Sequence, residues 1–211
     1  MKIDVVSDVV CPWCVIGAKT LEQALAKLGG EVTAEVSFHP FELNPQLGPE
    51  GRDLAEHLQE RYGATPEQMA ATRETLRARG AEVGFTFSPE PTERIYNTFD
   101  AHRLLHWASL SGKQPALQQA LWDAYFTNGE NPGDHDLLAD VAASVGLDHA
   151  EAVRILAGNE YQGDVVARMA FFHEAGIKAV PAFIINNKHL ISGAQSLAYM
   201  ETALREIAQQ S

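Results

Sequence analysis

The sequence predicts an α/β fold: a strand–helix–strand unit, a long block of helices, then a strand–strand–helix unit. Three observations carry this. Apolar runs of strand length stand near the two ends, at residues 3–10, 31–38, 182–185 and 189–192. Between about residues 52 and 175 apolar side chains recur at helical spacing, and no run there reads as a strand. A Cys-x-x-Cys pair, Cys11-Pro12-Trp13-Cys14, marks the junction of the first strand and the first helix and holds both cysteines of the 211 residues.

Taken in order, residues 3–10 are β-branched and suit a buried strand. Ile16, Leu21, Leu25 and Leu28 give residues 14–28 a helical stripe, which Gly29-Gly30 ends. Residues 31–38 alternate in part and read as the second strand. His39 then leaves that strand, and Pro40, Pro45 and Pro49 keep the next segment irregular. The helical block opens with residues 52–62. Thr65-Pro66-Glu67 starts a helix that runs to Arg79 and stops at Gly80. Phe85 and Phe87 alternate in a short extended piece. Further helices are expected at 92–111, at 114–127, from Asp134 or His135 to Gly146, at 149–157 behind an Asp148 cap, and at 161–175. Ala182–Ile185 and His189–Ser192 form a hairpin around Asn186-Asn187. Ser196 caps a closing helix to about Ala208. Residues 1–50 and 176–211 thus make one discontinuous domain, holding a helical insertion, 51–175, between the second and third strands.

The composition is that of an ordinary globular chain, 45% hydrophobic with a net charge of −12. That balance argues against nucleic acid, whose phosphates need a basic face. No run approaches the roughly 20 apolar residues of a membrane helix, so no membrane partner is expected. Met1-Lys2-Ile3-Asp4 leads straight into the strand pattern with no secretory leader, and the expected location is cytoplasmic. Thiols there are kept reduced, so a cysteine pair points to catalysis.

The chemistry centres on Cys11 and Cys14. The first turn of a helix carries N–H groups without partners and favours negative charge. A thiolate placed there is stabilised, and the thiolate is the nucleophile in disulfide exchange. Cys11, at the helix mouth, is expected to be the exposed attacker, and Cys14, one turn in, the buried resolving thiol. Pro12 suits the first helical position, and Trp13 sets a large ring beside the sulfurs. A structural disulfide closing so small a loop would stabilise by only about 2 kcal/mol. A zinc site needs two more ligands and there is no other cysteine, so no metal is expected.

Val180-Pro181 is the second feature. A proline directly ahead of an apolar strand removes a ladder donor, and in the cis form it bends the chain and leaves the Val180 backbone free to pair with an extended substrate. Together, Ser7 to Cys14 and Gly176 to Phe183 resemble the DsbA-type branch of the thioredoxin fold. Phe41-Glu42-Leu43-Asn44-Pro45 and Asn97 to Leu104 narrow the resemblance to the FrnE-like subfamily. It covers nearly the whole chain. It implies a dithiol–disulfide oxidoreductase, with Cys11 as nucleophile, Cys14 as resolving cysteine, Val180-Pro181 as a cis-proline loop facing them, and the helical block as a lid.

The family's relatives include 2-hydroxychromene-2-carboxylate isomerases and kappa-class glutathione transferases. These carry serine at the position of Cys11 and tend to have an Asp-Arg pair after the last strand, where this chain has Gly193-Ala194-Gln195-Ser196. A glutathione-dependent isomerase or transferase is therefore the alternative function. Glutathione remains a candidate co-substrate, and the redox-active pair itself is the only cofactor expected. The partner is a thiol- or disulfide-containing protein or small molecule, with room left for a homodimer. Asn97 and His102 are candidates for the active-site groove. Ile95, Phe99, His102, His106 and Leu110 share a helical stripe, and packing beneath the lid is the simpler role for both histidines. His39 is either a surface loop residue or one that reaches Cys11. Asp8 either caps the loop or, if buried near Cys14, acts as a base. Trp107, Trp122, Tyr125 and Phe126 read as core of the helical block.

Overall fold

A computed structural model of the chain describes residues 1–48, 50–90 and 93–210. The roles expected of Pro49 and of a helix start at Thr92, and the last residue of the closing domain, Ser211, lie outside the described residues.

β1 (Lys2–Ser7), α1 (Pro12–Leu28) and β2 (Glu35–Pro40) form the opening unit. β5 (Ala182–Ile185), β6 (His189–Ser192) and α9 (Leu197–Ala208) form the closing one. They build a four-stranded sheet in the order β2-β1-β5-β6. β1 runs parallel to β2, as a helical crossover requires. It pairs antiparallel with β5, Val5 opposite Phe183, and β5 with β6. Asn186 and Asn187 take φ of 52° and 54°, the left-handed pair that a tight two-residue hairpin demands. Ile3, Val5, Ile16, Leu21, Phe183, Ile185, Met200 and Leu204 pack into the core between the sheet and the α1/α9 layer. Each such side chain is worth about 1.5–3 kcal/mol when buried.

β5 and β6 coincide with their apolar runs, whereas β1 is shorter and β2 later than expected. β1 ends at Ser7 because residues 8–10 turn the chain, with the Cys11 N–H donating to Asp8 O at 3.2 Å. β2 starts at Glu35, after a 3-10 turn, Gly29–Glu31, and residues 32–34 in irregular chain.

Between β2 and β5 lie α2 (Leu54–Tyr62), α3 (Pro66–Glu82), α4 (Phe99–Ser109), α5 (Gln114–Trp122), α6 (His135–Ser144), α7 (His149–Ala157) and α8 (Gln162–Glu174). Leu104, Leu117, Leu121, Leu138 and Ile155 make a second core, which includes Val9 from the loop after β1. Trp122, Tyr125 and Phe126 do not belong to that core: they are buried in the cluster that contains the sheet. Trp107 packs, partly buried, on the helical core. A π turn, Asp123–Thr127, prolongs α5 over the rest of the expected helix.

Three expectations fail in this block. No strand was foreseen there, yet β3 (Arg52–Asp53) pairs antiparallel with β4 (Arg94–Ile95). That pairing, with the Arg94 guanidinium held by the carbonyls of Glu50 and Gly51, delays the helix expected from 92, and α4 starts only at Phe99. Asn97 Oδ1 accepts the Phe99 N–H at 2.9 Å, supplying the cap that Thr98 does not. Gly80 does not stop α3, which continues to Glu82. A Cβ on Gly80 would meet the Phe87 ring at 2.6 Å and Phe85 O at 2.8 Å, so this glycine serves close packing. Phe85 and Phe87 are buried in no strand.

β2 is a sheet edge, and its exposed groups are met by a side chain. The Phe38 N–H donates to Gln114 Oε1 at 2.9 Å, and Gln114 Nε2 donates to Phe38 O at 3.0 Å. One amide thus imitates a neighbouring strand and blocks edge pairing there.

Candidate active site

Cys11 is the N-cap of α1, with φ −95° and ψ 109°, and Pro12 is the first helical residue. The Cys14 N–H closes the first turn onto Cys11 O at 3.0 Å. The Cys11 side chain therefore sits where N–H groups lacking intrahelical partners favour negative charge. Cys11 Sγ donates to Val180 O across 3.9 Å, and the Val180–Pro181 peptide is cis. Gly17 brings α1 close to this loop: a Cβ there would lie 3.0 Å from Pro181 Cγ and 3.0 Å from the Phe183 ring. The Gly193 N–H holds Pro181 O at 2.8 Å. Cys14 is fully buried, as expected, but Cys11 is not the exposed group that its place at the helix mouth implied. Only 4% of Cys11 is accessible, because walls from outside the strand–helix unit close over it.

Those walls surround a cavity of about 890 Å³. Val10, Cys11, Pro12, Trp13 and Val180 line one side. Residues of α2 and α3, of the loops at 43–44 and 87–90, and Asp53, Glu93, Ile95, Tyr125 and Phe126 line much of the rest. Sequence reasoning missed the α2 and α3 residues. They look like ordinary polar surface helices with scattered apolar side chains, and only the long-range fold turns those side chains toward the cysteines.

Behind the cysteines lies a polar cluster. Asp8, 1% exposed, accepts the Leu43 N–H at Oδ2 (2.7 Å) and the Thr98 hydroxyl at Oδ1 (2.7 Å). His102 Nε2 stands 3.5 Å from Asp8 Oδ1 and 3.0 Å from Phe41 O. Asn97 Nδ2 donates to Glu42 Oε1 at 3.1 Å. Burial holds the Glu42 carboxyl above the usual range, with His102 pulling it the other way. The Cys14 thiol is pushed up strongly. Burial is the main cause, its hydrogen bond and charge contact with Cys11 add to it, and the Asp8 charge adds further against a backbone hydrogen bond from the same residue.

This arrangement corrects three candidates. Asn97 and His102 do not line the cavity over Cys11: Asn97 ties the residue 42–45 loop to the start of α4, and His102 is buried against Asp8. His39 is neither a surface loop residue nor a neighbour of Cys11. It belongs to β2, binds Asp4 Oδ1 at 2.6 Å and packs on Phe172, its ring 4.8 Å away. His39 and His102 instead line a separate cavity of about 150 Å³ with Gln118 and Arg168. Thr98, the link from the helical block to Asp8, carries no mark in the sequence beyond its place in the segment quoted above.

Among the described residues no cluster of histidine, cysteine and carboxylate side chains could hold a metal, and no helix is long and apolar enough to cross a membrane. What the site offers is a sulfur pair, one nearly covered and one fully buried, between a helix start and a backbone carbonyl.

Comparison with known proteins follows the same lines. A family model described as a DSBA-like thioredoxin domain matches residues 2–205. The Bacillus subtilis (strain 168) protein YwbO is 33% identical over 211 residues, covering 98% of this chain and 96% of that protein. The crystal structure of a probable DsbA oxidoreductase, SCO1869 from Streptomyces coelicolor, superposes with a TM-score of 0.93 at 31% identity, over 100% of this chain and 91% of that one. The cytosolic disulfide reductase DsbM from Pseudomonas aeruginosa, solved with GSH, shares the fold at a TM-score of 0.66 and 17% identity, over 100% of this chain and 98% of that one.

Proposed function

We propose that this chain, which belongs to the DSBA-like thioredoxin family, is a thiol–disulfide oxidoreductase that cycles Cys11 and Cys14 between dithiol and disulfide. The observation that carries the reading is the placement of Cys11. It caps α1 and faces Val180 O across 3.9 Å, with Cys14 in contact behind it.

In the reducing direction, the Cys11 thiolate attacks one sulfur of a substrate disulfide. The S–S bond breaks, a Cys11–substrate mixed disulfide forms, and the leaving thiolate takes up a proton. Cys14 gives up its proton and attacks Cys11 Sγ, releasing the second thiol. The enzyme is oxidised by two electrons and the substrate is reduced by two; oxidation of a substrate dithiol is the reverse. Pro12, Trp13 and Val180 line the cavity at Cys11 and would border the substrate sulfur, with Val180 O on the Cys11 side of the site, while Pro181 is buried behind Val180 against Gly17 of α1. Assignment to the FrnE-like branch rests on the segments at 41–45 and 97–104 and is part of the same reading.

The test is trapping. Cys14→Ser, supplied with a disulfide, stops at a Cys11 mixed disulfide visible by mass spectrometry, and Cys11→Ser forms none. Redox titration of the wild-type pair against glutathione then gives the potential. Failure of Cys11 and Cys14 to form a reversible disulfide would remove the proposal.

A further inference from the structure

On the reading that Cys11 exchanges disulfides, we infer that its substrate is a low-molecular-weight disulfide with an apolar, non-anionic body, bound in the cavity beneath α2 and α3. The first observation is the state of those helices. Among their residues only His57 and Gly80 are buried. Leu54, Leu58, Met69 and Leu76 line the cavity and are only partly buried. Opposite them stands Trp13, also only partly buried, beside the buried Tyr125 and Phe126. Apolar surface on both walls of one cleft gains by being covered, at roughly 25 cal/mol per Å². A volume of about 890 Å³ is within the range of small-molecule sites.

The second observation is the recessed sulfur. With 4% of Cys11 accessible, a disulfide must come in along the cleft, which a small molecule does without moving α2 and α3. The third is charge. The charged residues lining the cavity are four carboxylates, Asp53, Glu74, Glu90 and Glu93, against two guanidinium groups, Arg73 and Arg77. Burial further lowers His57 toward its neutral form. Within a chain of net charge −12 this disfavours a net anion such as oxidised glutathione, whose carboxylates outnumber its ammonium groups.

In the step itself, the Cys11 thiolate attacks the sulfur bearing the apolar group and the other half leaves as a thiol. Cys14 then expels the apolar thiol, so one enzyme dithiol is oxidised as one disulfide is reduced to two thiols.

The experiment is single-turnover oxidation of the pre-reduced full chain. The probes are the mixed disulfide of 2-phenylethanethiol and 2-mercaptoethanol, bis(2-hydroxyethyl) disulfide, oxidised glutathione and an oxidised unfolded protein. Each rate is divided by that of free dithiothreitol with the same probe, which cancels intrinsic reactivity. The phenylethyl probe is expected to saturate and to exceed the other three at least tenfold after normalisation. Leu58→Asp and Met69→Asp, each checked for folding by circular dichroism, are expected to bring that ratio down to near one. Equal or higher normalised rates with the unfolded protein or oxidised glutathione, or an unchanged ratio in both folded variants, would overturn this inference alone. No exchange with any probe would instead overturn the oxidoreductase reading beneath it.

Discussion

Thr98 donates its hydroxyl hydrogen to Asp8 Oδ1 at 2.7 Å, joining residues 90 positions apart. Both are buried, Thr98 2% and Asp8 1% exposed. Asp8 also opens the turn that delivers Cys11 to its helix, through Asp8 O and the Cys11 N–H. The helical block is thus fastened directly to the loop that precedes the cysteines. Thr98→Val keeps the shape and removes the donor, so a buried carboxylate oxygen loses a hydrogen bond, at a cost of about 1–3 kcal/mol. Thr98→Ser retains the donor and should lose less. Urea unfolding midpoints at constant slope measure both; a smaller loss in Thr98→Val than in Thr98→Ser would mean that packing of the methyl group, and not the hydrogen bond, matters at this position.

Cys14 leads to a prediction about the second half of the reaction. Burial is the first cause that raises its thiol, and burial and the Asp8 charge persist when Cys11 is tied up in a mixed disulfide, whereas the contribution of Cys11 itself does not. Attack needs the thiolate, so the release of the second thiol should quicken about tenfold per pH unit and keep rising past the ordinary thiol value of about 8.5. Asp8→Asn removes a negative charge, and the inflection should move to lower pH. Stopped-flow release of a chromophoric thiol from the Cys11 mixed disulfide, followed from pH 7 to 10, reads both. A plateau below pH 8 in the wild type would contradict the raised thiol.

Gly80 offers a test of sign. In an exposed helix interior Gly→Ala stabilises by about 1 kcal/mol. Here the added Cβ would meet the Phe87 ring at 2.6 Å and the Phe85 carbonyl oxygen at 2.8 Å. The oxygen belongs to backbone that already accepts no such neighbour without moving, while Phe85 N donates to Gly80 O at 2.8 Å and holds the two segments together. Overpacking of this kind costs about 1–3 kcal/mol, so Gly80→Ala should lower the thermal midpoint. A rise would show that the loop at 85–87 gives way freely.

Gly80 also shows where sequence reading stops. Glycine near the end of a helical pattern is a stop signal in isolation; that it served a phenylalanine contact depended on residues brought back by a turn. Local signals stand where the cause is local: the Thr65, Asp148 and Ser196 caps and the Asn186-Asn187 turn are all present in the structure. The strand–helix–strand opening and the closing hairpin with its helix also stand, because apolar runs and helical spacing are local patterns; the strand order is set by long-range pairing. The site was legible only in part. Cys11, Cys14 and Val180-Pro181 could be read from spacing and resemblance. The burial of Cys11, the turning of His102 toward Asp8 and the pairing of His39 with Asp4 are tertiary facts without a local pattern. The same holds for the cavity wall: Leu58 and Met69 look like ordinary surface-helix residues until the fold sets them across from Trp13.

His39 gives the clearest acid response. Burial lowers it below its usual value, overcoming the Asp4 carboxylate, which pulls the other way, while the charges of Arg168 and Lys2 add to the lowering. In the unfolded chain the imidazole takes up a proton near pH 6.5; in the folded chain it does so only at lower pH. The unfolded state therefore binds more protons across that interval. The resulting stability is fully present above about pH 6.5 and is lost as the pH falls toward the folded value. His39→Gln keeps a donor for Asp4 and does not titrate. Relative to wild type it should lose less stability between pH 7 and 5.5, by up to roughly 1 kcal/mol. Glu42 is raised and acts in the opposite direction, but it is common to both proteins and cancels in the difference. Urea titrations at the two pH values decide the matter, and parallel losses in variant and wild type would mean that His39 protonates as readily in the folded protein as in the unfolded chain.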